Sequence, residues 1–120
     1  MDARKLAATI ARLLDEMKIE DVLVLEMTEL MPLTDYFVIG TAAVTKHALS
    51  TAEFVRDEMK SQGRKSLGAE GLDDGEWVLL DYGSVVVHLF TSAHREFYDL
   101  EMLWGDAKRM TAGEWEKRGS

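Results

Sequence analysis

The segment 81-DYGSVVVH-88 places Asp81, Ser84 and His88 within eight residues, the acid, nucleophile and base of a hydrolytic triad. Gly83-Ser84 is also the pair with which nucleotide-transferring enzymes open their motif, and Asp73, Asp74 and Asp81 are carboxylates of the kind that hold a divalent metal in such sites. Each chemistry demands its own geometry. A triad needs nucleophile, base and orienting acid in one chain of hydrogen bonds. Phosphate transfer needs a helix directly after the Gly-Ser pair, aimed at phosphate, and two carboxylates converging on one ion. Whether either arises depends on the elements that carry these residues.

Leu6, Ile10, Leu13, Leu14 and Met17 recur at helical spacing over residues 2 to 18, with Asp2 placed to cap that helix. VLVLEM, 22 to 27, and YFVIGT, 36 to 41, are apolar runs of strand length, and Thr34-Asp35 between them reads as a strand-entry turn. A second helix is expected from a Thr45 cap to about Gln62, with Ala48, Ala52, Val55 and Met59 on one stripe and Gly63 ending it. The glycine-rich segment after it allows one short edge strand at 66 to 69. WVLLDY, 77 to 82, and VVVHLF, 85 to 90, are strong strands. Ser92 starts a last helix through Trp104, with Phe97, Leu100, Leu103 and Trp104 apolar. The order predicts an α/β fold in which helices flank a mixed sheet of about five strands. Residues 1–107 read as one domain, and 108–120, which show no sustained period, as a flexible tail.

Within this frame Gly83-Ser84 is the two-residue loop of a hairpin, with glycine first as a type II′ turn requires. That register sets Tyr82 opposite Val85, Asp81 opposite Val86, Leu79 opposite His88 and Trp77 opposite Phe90. One face then carries Val78, Leu80, Tyr82, Val85, Val87 and Leu89, which is nearly pure core. The other carries Trp77, Leu79, Asp81, Val86, His88 and Phe90, a mixture of aromatics with an acid and an imidazole. Ser84 sits in the turn, roughly 13 Å along the strand from His88. Asp81 and His88 are diagonal neighbours able to pair, but without a nucleophile. A β-branched run, not a helix, follows the Gly-Ser pair, and adjacent Asp73 and Asp74 point to opposite sides of an extended chain. Neither catalytic geometry fits.

The remaining polar residues are less informative. His47, His88 and His94 lack ligand spacing. Of the seven methionines, Met17 and Met59 fall on core stripes. Trp77 stands out, because it follows an acidic loop holding Glu70, Asp73, Asp74 and Glu76 and lies on the mixed face. It is either covered by a helix of its own domain or is the anchor of a protein interface, where tryptophan is enriched.

Composition narrows the partner. The chain has 120 residues, of which 14 are Lys or Arg and 22 Asp or Glu, for a formal net charge of −8. Such a balance repels phosphate backbones, and the sequence has no basic stripe, so DNA is not an expected partner. The sequence also lacks an apolar run near the ~20 residues of a membrane span. The start, MDARKLAATIARLLDEMK, lacks the features of a signal peptide and is too acidic for a transit peptide, and there is no cysteine, so a cytoplasmic location is expected. The acidity serves solubility or complements a basic protein.

Together, TDYFVIGTA (34 to 42), KH (46 to 47), the Glu70-Gly71 loop with Trp77, LDYGSVVVHLF (80 to 90) and REFYDLEMLWGDA (95 to 107) resemble the ribosomal silencing factor, or Iojap, family. The resemblance runs in order from about residue 3 to residue 107. It implies a fold that is nucleotidyltransferase-like in outline, without enzymatic activity or cofactor. It further implies binding to a large-subunit ribosomal protein, number fourteen, at the intersubunit face, where the factor sterically blocks subunit joining and represses translation when nutrients are scarce. Crystallised members are often homodimers, and rRNA contact is left open. By position, Trp77 matches the family's surface tryptophan, and Glu70, Asp81, His88, Tyr98 and Glu101 match other characteristic positions for partner binding. Three departures stand in this chain: Ala42 replaces a usual glycine, Lys46 an arginine and Ser84 an aspartate. The alternative from another class is a metal-dependent, nucleotidyltransferase-like enzyme. A third reading is a homodimeric scaffold that does not associate with ribosomes.

Overall fold

A computed structural model describes residues 2–28, 34–97, 108–110 and 115. The chain runs α1 (Ala3–Glu16), β1 (Glu20–Glu26), β2 (Tyr36–Ala42), α2 (Thr45–Ser61), β3 (Gly68–Glu70), β4 (Trp77–Asp81), β5 (Val85–Thr91), α3 (Ser92–Phe97) and β6 (Lys108–Met110). The strands form one sheet in the order β3-β4-β5-β2-β1-β6. Only the β2–β5 pair is parallel among the described strands, which the crossover through α2 permits. The mixed α/β sheet flanked by helices is therefore present, with six described strands instead of about five.

Both long helices form where apolar spacing predicts them. The Asp2 carboxylate accepts the Lys5 N–H at 2.7 Å and so caps α1. Helix α2 begins one residue earlier than a Thr45 cap would set it: Val44 is the capping position, and no side chain caps the helix. Gly63 ends α2 in the left-handed region, φ +82°, where the Gly63 N–H donates to Lys60 O and the Arg64 N–H to Met59 O.

The main core lies between these helices and one face of the sheet. Leu6, Ile10 and Leu14 of α1 and Ala48, Ala52, Val55 and Met59 of α2 are fully buried against Val78, Leu80, Val85, Val87 and Leu89. Gly40, in β2, lies under this layer. A Cβ there would run into the Ile19 side chain, so the close approach of chain and sheet requires glycine.

Within the segment expected to be a flexible tail, the described residues are 108–110 and 115. Lys108–Met110 pair antiparallel with β1, Val24 opposite Met110. Met110 and Trp115 are both buried in the main core, and Arg12 donates from Nη1 to the Trp115 carbonyl at 3.1 Å. A three-residue strand is too short to show a period of two. Its stabilisation comes from the edge of β1 and from burying two apolar side chains.

Candidate functional site

The hairpin register is the expected one: Trp77 faces Phe90, Leu79 faces His88 and Asp81 faces Val86. Its turn is tighter than a type II′ loop. The Ser84 N–H donates to Tyr82 O at 3.1 Å around Gly83, whose φ of +81° is that of a γ-turn. Asp81 Oδ1 accepts the Gly83 N–H at 2.7 Å and holds this reversal. The Ser84 carbonyl accepts the N–H groups of Asp35 and Tyr36, at 2.9 and 3.0 Å, which ties the turn to the start of β2. Thr34 Oγ1 in turn donates to Tyr36 O at 3.4 Å, the strand-entry role expected for it. The acid and the serine of the apparent triad thus build a turn.

Cross-strand partners share a face, so Glu70, Leu79, His88, Ile39 and Leu23 form one row across the sheet. Trp77, Phe90 and Thr41 form the neighbouring row, and Asp81, Val86, Phe37 and Leu25 the row on the other side. Four of the expected partner-binding residues, Glu70, Trp77, Asp81 and His88, therefore lie on one face. A smaller cluster of Leu25, Met27, Phe37, Ile39 and Phe90 is buried there, with Leu23, Trp77 and Val86 packed at its rim.

His88 has two diagonal neighbours, Asp81 and Trp77, and its bond goes to Trp77. Indole Nε1 donates to His88 Nδ1 at 3.2 Å. Trp77 also stacks on Phe90, with ring centroids 5.0 Å apart, and Phe37 meets the imidazole edge-on at 4.7 Å. His88 is only 6% exposed, and burial lowers its pKa to about 4, so it is neutral near pH 7. Because Nδ1 accepts the indole proton, the imidazole's own proton is assigned to Nε2. That N–H is buried without a hydrogen-bond partner among the described residues. Such an orphan donor costs about 1–3 kcal/mol.

Trp77 itself is half-buried, neither sealed in its own core nor fully exposed. The loop before it carries the acidic rim. Glu70, Asp73, Asp74 and Glu76 are exposed, whereas Asp81 is partly buried. Gly71, at φ +78°, is forced: a Cβ would collide with the Trp77 carbonyl. The Gly75 N–H donates to Gly71 O at 3.0 Å, and Asp74 Oδ1 accepts the Glu76 N–H at 3.0 Å. Glu76 Oε2 pairs with His94 Nε2 at 3.3 Å, and the Thr91 N–H donates to Glu76 O at 3.1 Å, so the loop is fastened to the start of α3.

His47 Nε2 bonds Met17 O at 2.6 Å, so the three histidines serve three separate places. Among the described residues no three His, Asp or Glu side chains converge as metal ligands would. Tyr98 and Glu101 lie outside the described residues. Phe37 and Phe90, which support the indole and imidazole, are site residues that sequence reasoning did not single out. The alternating register placed Phe90 opposite Trp77, which was the available signal.

The chain matches the family described as "Ribosomal silencing factor during starvation" over residues 1–119. It is 36% identical over 107 residues to the ribosomal silencing factor RsfS of Bacillus subtilis, covering 89% of this chain and 91% of that protein. A mouse protein named "Mitochondrial assembly of ribosomal large subunit protein 1" is 34% identical over 95 residues, covering 77% of this chain and 42% of its own length. The crystal structure of a Chromobacterium violaceum protein superposes with a TM-score of 0.85 at 32% identity, covering 93% of both chains. With the family matched over almost the whole length and the fold shared at that score, this chain belongs to the ribosomal silencing factor family.

Proposed function

We propose that this protein is a non-enzymatic anti-association factor. It docks the mixed sheet face, centred on Trp77 and rimmed by Glu70 and the loop carboxylates, on a basic large-subunit ribosomal protein, number fourteen. From the intersubunit face it blocks joining of the small subunit by bulk and so represses translation in the cytoplasm. Asp81 supports this surface by holding the hairpin turn, and the family resemblance adds Tyr98 and Glu101 as partner-binding residues.

The observation that carries this reading is the half-buried Trp77, fixed by a hydrogen bond and a ring stack beside exposed carboxylates. Tryptophan is enriched at interface hot spots, and an acidic rim steers a basic partner. The formal net charge of −8 adds to that steering. Family membership supplies the ribosome as the target, and the name of the mouse relative points to the large subunit.

A sucrose gradient of lysate tests the proposal. The protein should comigrate with free large subunits and be missing from joined ribosomes. Equal occupancy of joined ribosomes would exclude a block to joining, and migration only at the top of the gradient would exclude ribosome binding.

A further inference from the structure

We propose that His88 is a positioning residue for docking: its Nδ1 fixes the indole of Trp77 in the orientation presented to the partner, without itself touching that partner. This rests on the reading of Trp77 as the anchor. His88 sits between Phe37 and Phe90 on the small cluster, opposite Leu79. Its surroundings are aromatic and aliphatic, and its Nε2–H is buried without a hydrogen-bond partner among the described residues. A phenylalanine would fill that volume and leave no orphan donor. What the imidazole has and phenylalanine lacks is an acceptor at Nδ1, and this acceptor receives the indole N–H at 3.2 Å.

An indole nitrogen can only donate, so a neutral imidazole nitrogen is a suitable partner. Trp77 lies at the rim, where half of its environment is missing before a partner arrives. A ring held there by the His88 bond and the Phe90 stack loses little rotational freedom on docking, which improves affinity without a new contact to the partner. The burial of His88 explains why it acts through the tryptophan.

The test uses the whole chain in two measurements: exchange of the Trp77 indole proton by NMR, assigned through its loss in Trp77→Phe, and affinity for purified large subunits. His88→Phe should fold, speed indole exchange at least about tenfold and weaken binding about fivefold, the scale of one neutral hydrogen bond. His88→Asn keeps an oxygen acceptor near the Nδ1 position and should recover slow exchange and most of the affinity. A folded His88→Phe with unchanged exchange and affinity overturns the role of His88. If His88→Phe does not fold, fast exchange in a folded His88→Asn overturns it instead. Trp77→Ala separates the two readings. Its unchanged affinity sinks the anchor itself, whereas its loss of binding beside an unaffected His88→Phe sinks only the positioning role.

Discussion

Replacing Trp77 with alanine is expected to weaken binding to large ribosomal subunits by about tenfold or more, while the chain stays folded. The fold should survive because the indole sits at the rim of the smaller cluster and the main core lies on the opposite face of the sheet. The losses include the stack on Phe90 and the bond to His88, which leaves Nδ1 without its donor. These two contacts are worth about 1–3 kcal/mol. The loss of a half-buried indole's packing stays below the ~3–5 kcal/mol of a fully buried one, against the roughly 5–15 kcal/mol that keeps a typical domain folded. A cosedimentation titration beside a thermal melt reads both effects. Unchanged affinity would mean that Trp77 is not the anchor. Loss of affinity together with the melting transition would mean that the indole is core.

Acid should destabilise the protein through His88 by roughly 3 kcal/mol between pH 7 and pH 4. The folded-state pKa is lowered by burial to about 4 from an ordinary 6.5. Between those values the unfolded chain binds a proton that the folded chain does not, so protonation favours unfolding. The full contribution is therefore present above about 6.5, is lost as pH falls towards 4, and does not change further below that. Carboxylates titrate over part of this range, so the informative quantity is a difference. Urea unfolding of the unaltered protein should lose stability faster than His88→Phe between pH 7 and 4.5. Parallel pH profiles would show that His88 is not held neutral by the fold.

The parts of the fold that could be read in advance are those where local chemistry and the global arrangement agree. The stripe of Leu6, Ile10 and Leu14 needs one buried helix face, and the alternation of Trp77 to Phe90 around a two-residue reversal leaves a single register. β6 was not legible, because three residues in a polar segment show no period and pair only after β1 exists. The cap of α2 was misplaced by one residue because Thr45 has the right chemistry but Val44 has the extended backbone at that position. The Asp-Ser-His spacing looks like a triad for a similar reason, although the hairpin register already excludes one. Residue types report what a side chain can do, whereas Asp81 serves the Gly83 N–H and Ser84 serves through its carbonyl. That contact to β2 comes from the backbone, so it does not depend on the side chain at position 84. The bond from Trp77 to His88 is diagonal, and the alternating pattern allows it without selecting it over Asp81.

Light scattering during subunit joining tests the central claim most directly. Purified large subunits would be incubated with the protein and then mixed with small subunits, and the rise in scattering followed. A docking face that blocks by bulk predicts a dose-dependent loss of joined ribosomes that needs no nucleotide, and Trp77→Ala should require about tenfold more protein for the same effect. An undiminished rise in scattering at a concentration that saturates the large subunits would contradict the account.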